Sequence, residues 1–185
     1  MKNLRLPIAL SVLVALSMAC SSKSTHEDHM ENEASQEMSS ATSDELASTP
    51  TTMISFKEES TTQIFNTYFG LKDALVETNG EKVSEEAKKL EALLTEEKYN
   101  SMKEEVQKIA GTTDTAIQRD AFDELSDQMI ELAKSSELAS GNLFLQHCPM
   151  ANGNKGANWI SLSEEIRNPY FGDKMLKCGS VTEKI

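Results

Sequence analysis

Two short clusters near the C-terminus hold the residue types best suited to chemistry, His147-Cys148-Pro149-Met150 and Met175-Leu176-Lys177-Cys178. Each sets a thiol and a thioether a short interval apart. Thiolate and thioether sulfurs are soft donors that select copper(I), and by the same softness silver(I), and imidazole can supplement them. Pro149 fixes one backbone angle and removes an amide donor, which favours an extended Cys148-Pro149-Met150 with both sulfurs near the same end. Met175 and Cys178 stand three apart, so a helical turn would set both on one face. Cys148, Met150, Met175 and Cys178 are therefore candidate ligands of a monovalent soft cation, with His147 as a fifth.

A second reading of the same thiols is a disulfide. Outside the cytoplasm two unpaired cysteines usually bridge, and a Cys148–Cys178 bond would close a loop of about thirty residues and contribute about 3 to 4 kcal/mol. The methionines would then be ordinary core residues. A redox-switched pair that binds copper only when reduced combines both readings. A nucleophile built from Cys148 and His147 is disfavoured, because adjacent residues of an extended segment point to opposite faces. The sequence has no Gly-rich phosphate loop, no HExxH and no GxSxG, so a non-enzymatic role is expected. His26, His29 and Met30 form a weaker accessory metal cluster near the N-terminus.

The elements that must position the C-terminal clusters are mainly helical. Ile64, Tyr68, Leu71 and Leu75 recur at helical spacing, with Phe65 and Val76 widening the stripe, until Asn79-Gly80 ends the run. A second helix is expected from Ser84 as its cap, presenting Ala87, Leu90 and Leu94. A third begins near Thr95-Glu96-Glu97, carries Tyr99, Met102, Val106 and Ile109, and closes at Gly111 as C′. The fourth and longest runs from Asp114 to about Ser140, with Ile117, Ala121, Leu125, Met129 and Leu132 inward and Phe122 beside them. About four such helices with short connections predict an antiparallel bundle. Leu143-Phe144-Leu145 and Ser180 to Ile185 read as short strands, with ordered loops between. Trp159, Tyr170 and Phe171 are expected to cover the bundle end, Asn168-Pro169 and Gly172 supplying turns.

The N-terminus carries a different message. Residues 1–19 place Lys2 and Arg5 ahead of an apolar run from Leu6 to Ala19, a secretory signal too short to persist as a membrane span. Leu16-Ser17-Met18-Ala19-Cys20 resembles a lipobox, which makes Cys20 the expected site of lipidation and the first residue of the mature chain. Ser21 after the cysteine favours an outer-membrane destination by resemblance to enterobacterial sorting rules. Residues 20–58 form an acidic tether with thirteen Ser or Thr in positions 21–52, too polar to bury surface that would offset ordering. One domain is expected over residues 59–185. Removing residues 1–19 takes away Lys2 and Arg5 and no acid, so the mature chain keeps 16 basic and 30 acidic side chains, a net charge of −14. Such a surface excludes nucleic acid and leaves membrane attachment to acyl chains.

Four runs carry a family likeness: Gln146 to Ala151, Lys155-Gly156-Ala157-Asn158-Trp159, Ile166-Arg167-Asn168-Pro169-Tyr170-Phe171-Gly172, and Met175-Leu176 with Cys178-Gly179. They resemble an uncharacterised domain family of Gram-negative envelope proteins, found alone and appended to adaptor subunits of copper and silver efflux pumps. Residues Tyr68 to Leu75 match it more loosely. Cys148-Pro149-Met150 also resembles the Cys-Pro-Met-His core of small heavy-metal-binding modules, with Ala151 in place of the histidine. The resemblance implies an association with copper handling and an efflux-pump adaptor as partner.

Overall fold

The computed structural model of the chain describes residues 53–185. The signal segment, Cys20, most of the tether and its His26, His29 and Met30 lie outside those residues. Four long helices come first, α1 (Glu59–Val76), α2 (Gly80–Leu93), α3 (Asn100–Ala110) and α4 (Thr115–Ser135), and each packs on its neighbour in the chain. Five short strands accompany them: β1 (Ser55–Phe56), β2 (Leu138–Ser140), β3 (Phe144–Cys148), β4 (Ala157–Ser161) and β5 (Ser180–Lys184). The architecture is thus mainly helical with a small C-terminal antiparallel strand region. Among the described residues no helix is long and apolar enough to cross a membrane.

The apolar stripes explain the bundle. Ile64, Phe65, Tyr68, Leu71 and Leu75 of α1, Val83, Ala87 and Leu90 of α2, Val106 and Ile109 of α3, and Phe122, Leu125 and Met129 of α4 are all fully buried. Each set follows the 3.6-residue period, so each helix turns one face into a shared core. Several boundaries differ from the expected ones. The second helix starts at Gly80, capped by Asn79, whose side chain accepts the Lys82 amide at 3.1 Å. Ser84 instead lies inside α2 and donates to the Ala110 carbonyl at 2.7 Å, tying α2 to α3. Gly111 closes α3 with an ordinary φ of −78°, so no left-handed C′ is formed. Ile117 is exposed because Gln118 and Ala121 take the inward positions near the start of α4, and Leu132 is only partly buried, with Ala133 turned inward beside it.

The fourth helix stops at Ser135 because Leu138–Ser140 pairs with β1. That pairing also moves the start of the packed unit ahead of residue 59, since Ile54 and Phe56 belong to the core and Phe56 stacks on Phe65 at 4.6 Å. The second sheet has the order β4-β3-β5, all antiparallel, with Gln146 opposite Trp159 and Cys148 opposite Ala157. Strand β4 occupies a stretch expected as loop. Its Asn158 and Ala157 are poor strand formers, and pairing with β3 outweighs their local preference.

One side chain joins the sheet to the bundle. Tyr68 Oη shares a hydrogen bond with Ser126 Oγ of α4 at 2.9 Å and accepts the Ile160 amide of β4 at 3.3 Å. Its ring stacks on Phe122 at 5.5 Å, Phe122 packs against Tyr170 at 5.6 Å, and Tyr170 meets Trp159 edge to face at 6.0 Å. Tyr68→Phe leaves the Ile160 amide and the Ser126 hydroxyl without this partner. A loss of about 1 to 3 kcal/mol is expected, read as a lower urea midpoint. Burial also raises the Tyr68 pKa, with the Ser126 and Ile160 hydrogen bonds opposing. The unfolded chain sheds this proton near pH 10 while the folded chain retains it, so stability falls as pH rises above about 10. Tyr68→Phe should flatten that alkaline decline.

Candidate functional site: the Cys148 and Cys178 thiols

Strand alternation decides which groups face each other. In β3, Phe144, Gln146 and Cys148 are buried while Leu145 and His147 are half-buried on the other face. Cys148 therefore points inward, with no exposure. Cys178 arrives from a strap of chain, residues 162–179, that leaves β4 and returns as β5. The two Sγ atoms lie 2.8 Å apart, too far for a bond of about 2.05 Å and closer than two separate thiols ordinarily sit. Both thiols are free, Cys148 buried and Cys178 half-buried. The Cys178 thiol is held above its ordinary pKa, first by its hydrogen bond with Cys148, then by desolvation and by the charge a Cys148 thiolate would carry.

Asn168 holds the strap. Fully buried, it donates from Nδ2 to the Cys178 carbonyl at 2.7 Å and accepts the Tyr170 amide on Oδ1 at 2.8 Å. Its own amide donates to the Leu176 carbonyl at 2.9 Å. Gly179 follows Cys178 with φ +137°, a conformation that L side chains rarely adopt. A Cβ there would lie 2.8 Å from the His147 carbonyl oxygen and 3.0 Å from Trp159 Cη2. The backbone beside Cys178 thus presses directly on β3 and on the indole. Neither Asn168 nor Gly179 stood out in the sequence as a positioning residue. The usable signals were the Asn168-Pro169 pair, which reads as a turn, and Cys178-Gly179, which belongs to the runs that carry the family likeness.

The other sulfur ligands and the imidazole are placed differently. Met150 begins a tight turn at residues 150–154, is about half exposed, and lines a cleft with Ala116, Arg119 and Phe171. The chain reverses after Cys148, so Cys148-Pro149-Met150 is not the extended segment expected. Met175 is half-buried and not on a helical turn with Cys178. Its carbonyl accepts the Cys178 amide at 3.0 Å, closing a four-residue turn. His147 stands on the opposite face from Cys148, its Nδ1 hydrogen-bonded to Asn158 Oδ1 at 2.9 Å. An amide oxygen only accepts, so Nδ1 is the donor in this bond. Among the described residues no group of three or more His, Cys, Asp and Glu side chains converges as a metal site. Trp159 is fully buried within β4 and Tyr170 nearly so, forming part of the core instead of a lid.

Residues 64–141 match the model of a family described as a protein of unknown function (DUF3347). The match spans most of α1, all of α2 to α4, and β2, and it ends before β3, so both cysteines lie beyond it. The chain is thus similar, over its helices, to an uncharacterised domain. No curated protein and no solved structure matches the chain.

Two substitutions test how the thiols are held together. Asn168→Ala frees the Cys178 carbonyl, and Gly179→Ala forces the neighbouring backbone off His147. Each should lower the effective concentration of one thiol at the other. The readout is the glutathione redox buffer at which the pair is half bridged, which should move toward more oxidising mixtures. An unchanged midpoint in both variants would show that the strap does not set the pairing.

Proposed function

We propose that the chain is an exported lipoprotein, anchored in the cell envelope through Cys20, whose Cys148 and Cys178 thiols bind copper(I) or silver(I) while reduced. The observation that supports this reading is the approach of two soft donors to 2.8 Å with one of them reachable from solvent. A two-coordinate ion with metal–sulfur bonds of about 2.3 Å needs its sulfurs about 4 Å apart or more, so the pair must part by more than an ångström. Cys178 is the side that can move, since it sits on the strap and Cys148 on the central strand. Met175, carried on the strap, is then an outer thioether donor that its movement can recruit, while Met150, turned into the cleft with Arg119 and Phe171, and His147, on the opposite face of β3, stand apart from the pair. Buffering of the ion, or its delivery to an efflux-pump adaptor, is the role that fits the resemblance of the C-terminal runs. An outer-membrane location follows from the residues around Cys20.

A structural disulfide in an interaction lipoprotein is the second reading. The observation that favours it is the burial of Cys148, which gives its thiol no outlet except toward Cys178. An anaerobic copper(I) titration of reduced protein beginning at Ser21, competed against a coloured chelator, separates the two. Binding of one equivalent that strips the chelator is expected. It should be lost in Cys148→Ser and Cys178→Ser and kept in His147→Ala. Failure of the reduced wild type to compete would leave the bridged interaction domain.

A further inference from the structure

The two sulfurs are unequal, and the inequality defines a direction of chemistry. Exchange between a thiolate and a disulfide proceeds in line, the attacking sulfur approaching along the axis of the bond that breaks. Along the Cys148–Cys178 axis, an approach to Cys148 would have to come through the core, where Cys148 lies with Trp159, Ala157 and Ala151 in one buried cluster. An approach to Cys178 comes from outside, where the flanking Lys177 is exposed and Leu176 and Gly179 only half-buried.

We propose that the pair exchanges electrons with external thiols and disulfides through Cys178 alone, Cys148 acting as the buried resolving sulfur. This rests on the reading of the two thiols as a reversible couple and not on metal binding. In the oxidising direction Cys178 gives up the proton that its hydrogen bond to Cys148 retains, and the resulting thiolate attacks an external disulfide RSSR, forming Cys178–S–S–R and expelling RS⁻. The Cys148 thiolate, already beside Cys178, then attacks the Cys178 sulfur, closes the Cys148–Cys178 bond and expels the second RS⁻. Two electrons pass to RSSR, and the two protein thiols release two protons. In the reducing direction an external thiolate attacks Cys178, Cys148 leaves as thiolate, and a second external thiolate frees Cys178. The couple would therefore set, from the thiol status of its surroundings, whether the soft-donor pair is available to an ion.

The partner chemistry is a reactive thiol or disulfide, carried by a small molecule or by a protein dithiol. The test uses the full chain in detergent, with chelator and no copper, so that loss of exchange and loss of copper binding are separate results. Trypsin places Cys148 on peptide 135–155, Cys178 on peptide 178–184 and Cys20 on a third peptide ending at Lys23. With oxidised glutathione, Cys148→Ser should accumulate one glutathione on peptide 178–184. Cys178→Ser should acquire it on peptide 135–155 at least about tenfold more slowly, and reduced wild type should end bridged. A thioredoxin-type protein lacking its resolving cysteine, added to the bridged wild type, tests the protein source. A trapped complex through Cys178 assigns a protein dithiol, whereas adducts with glutathione only assign the small thiol. Bridged wild type treated with limiting reduced glutathione serves if a variant fails to fold. Its first adduct should lie on peptide 178–184. An adduct first on peptide 135–155, equal rates in the two variants, or a wild-type mixed disulfide that never closes would overturn the proposal.

Discussion

The Tyr68 hydroxyl is the interaction on which the rest of the structure depends. A tyrosine in the middle of α1 would ordinarily be an expensive choice for a fully buried position, because its oxygen must find partners away from water. Here the oxygen serves α4 through Ser126 and the outer edge of β4 through the Ile160 amide. That amide points away from β3 and would otherwise be an orphan of the edge strand. One polar atom thus closes the sheet edge and fixes the sheet against two helices. The Phe122, Tyr170 and Trp159 rings extend the same junction in a continuous aromatic line toward the thiols.

From that junction outward, the site follows from strand geometry. Once β4 is fixed, the antiparallel register fixes β3, and the two-residue period sends Cys148 inward and His147 outward. The separation sets imidazole and thiolate, adjacent in sequence, on opposite faces of the sheet. It also explains why His147 finds its own partner in Asn158, directly across the ladder. Cys178 has no such lattice to obey. It is placed by polar contacts of a strap, chiefly those of Asn168, and by a glycine that lets the backbone lie close to β3.

The helices were legible in the sequence because burial on one face imposes a period that any reader can count. Tyr68, Leu90, Val106 and Leu125 all sit where that period puts them. The helix ends were less so. Asn79 and Ser84 are both good caps in isolation, and only the packing of Ala110 against α2 assigns the serine to a different carbonyl. Strand β4 is hard to read for a related reason, since it opens with Ala157-Asn158, which have weak strand preference, and is made a strand by its partner. At the site, the pairing of Cys148 with Cys178 was legible from composition. The turning away of Met150 was not, because it depends on a left-handed run over Asn152, Gly153 and Asn154 that reverses the chain just after Pro149.

The difference between strand and strap has an energetic meaning. Moving Cys148 means breaking its ladder pairing with Ala157 of β4 and opening a cavity beside Trp159, each a cost of order 1 kcal/mol or more. Moving Cys178 disturbs a chain segment whose outer tie, the Lys177 ion pair with Glu165, joins two side chains that are more than half exposed and screened by solvent. The remaining restraints are the hydrogen bonds that Asn168 makes, those from Gln146 Nε2 to the Ser163 and Glu165 carbonyls and from Arg119 Nε to the Pro169 carbonyl, and the close seat of Gly179 on β3. A displacement of an ångström or so at Cys178 can leave those bonds bent but intact, whereas the same displacement at Cys148 propagates into the core. A rigid sulfur facing a compliant one lets the distance between the two change while the core stays in place. The fold arranges this by placing one cysteine at the end of the central strand and the other on the chain that returns as an edge strand.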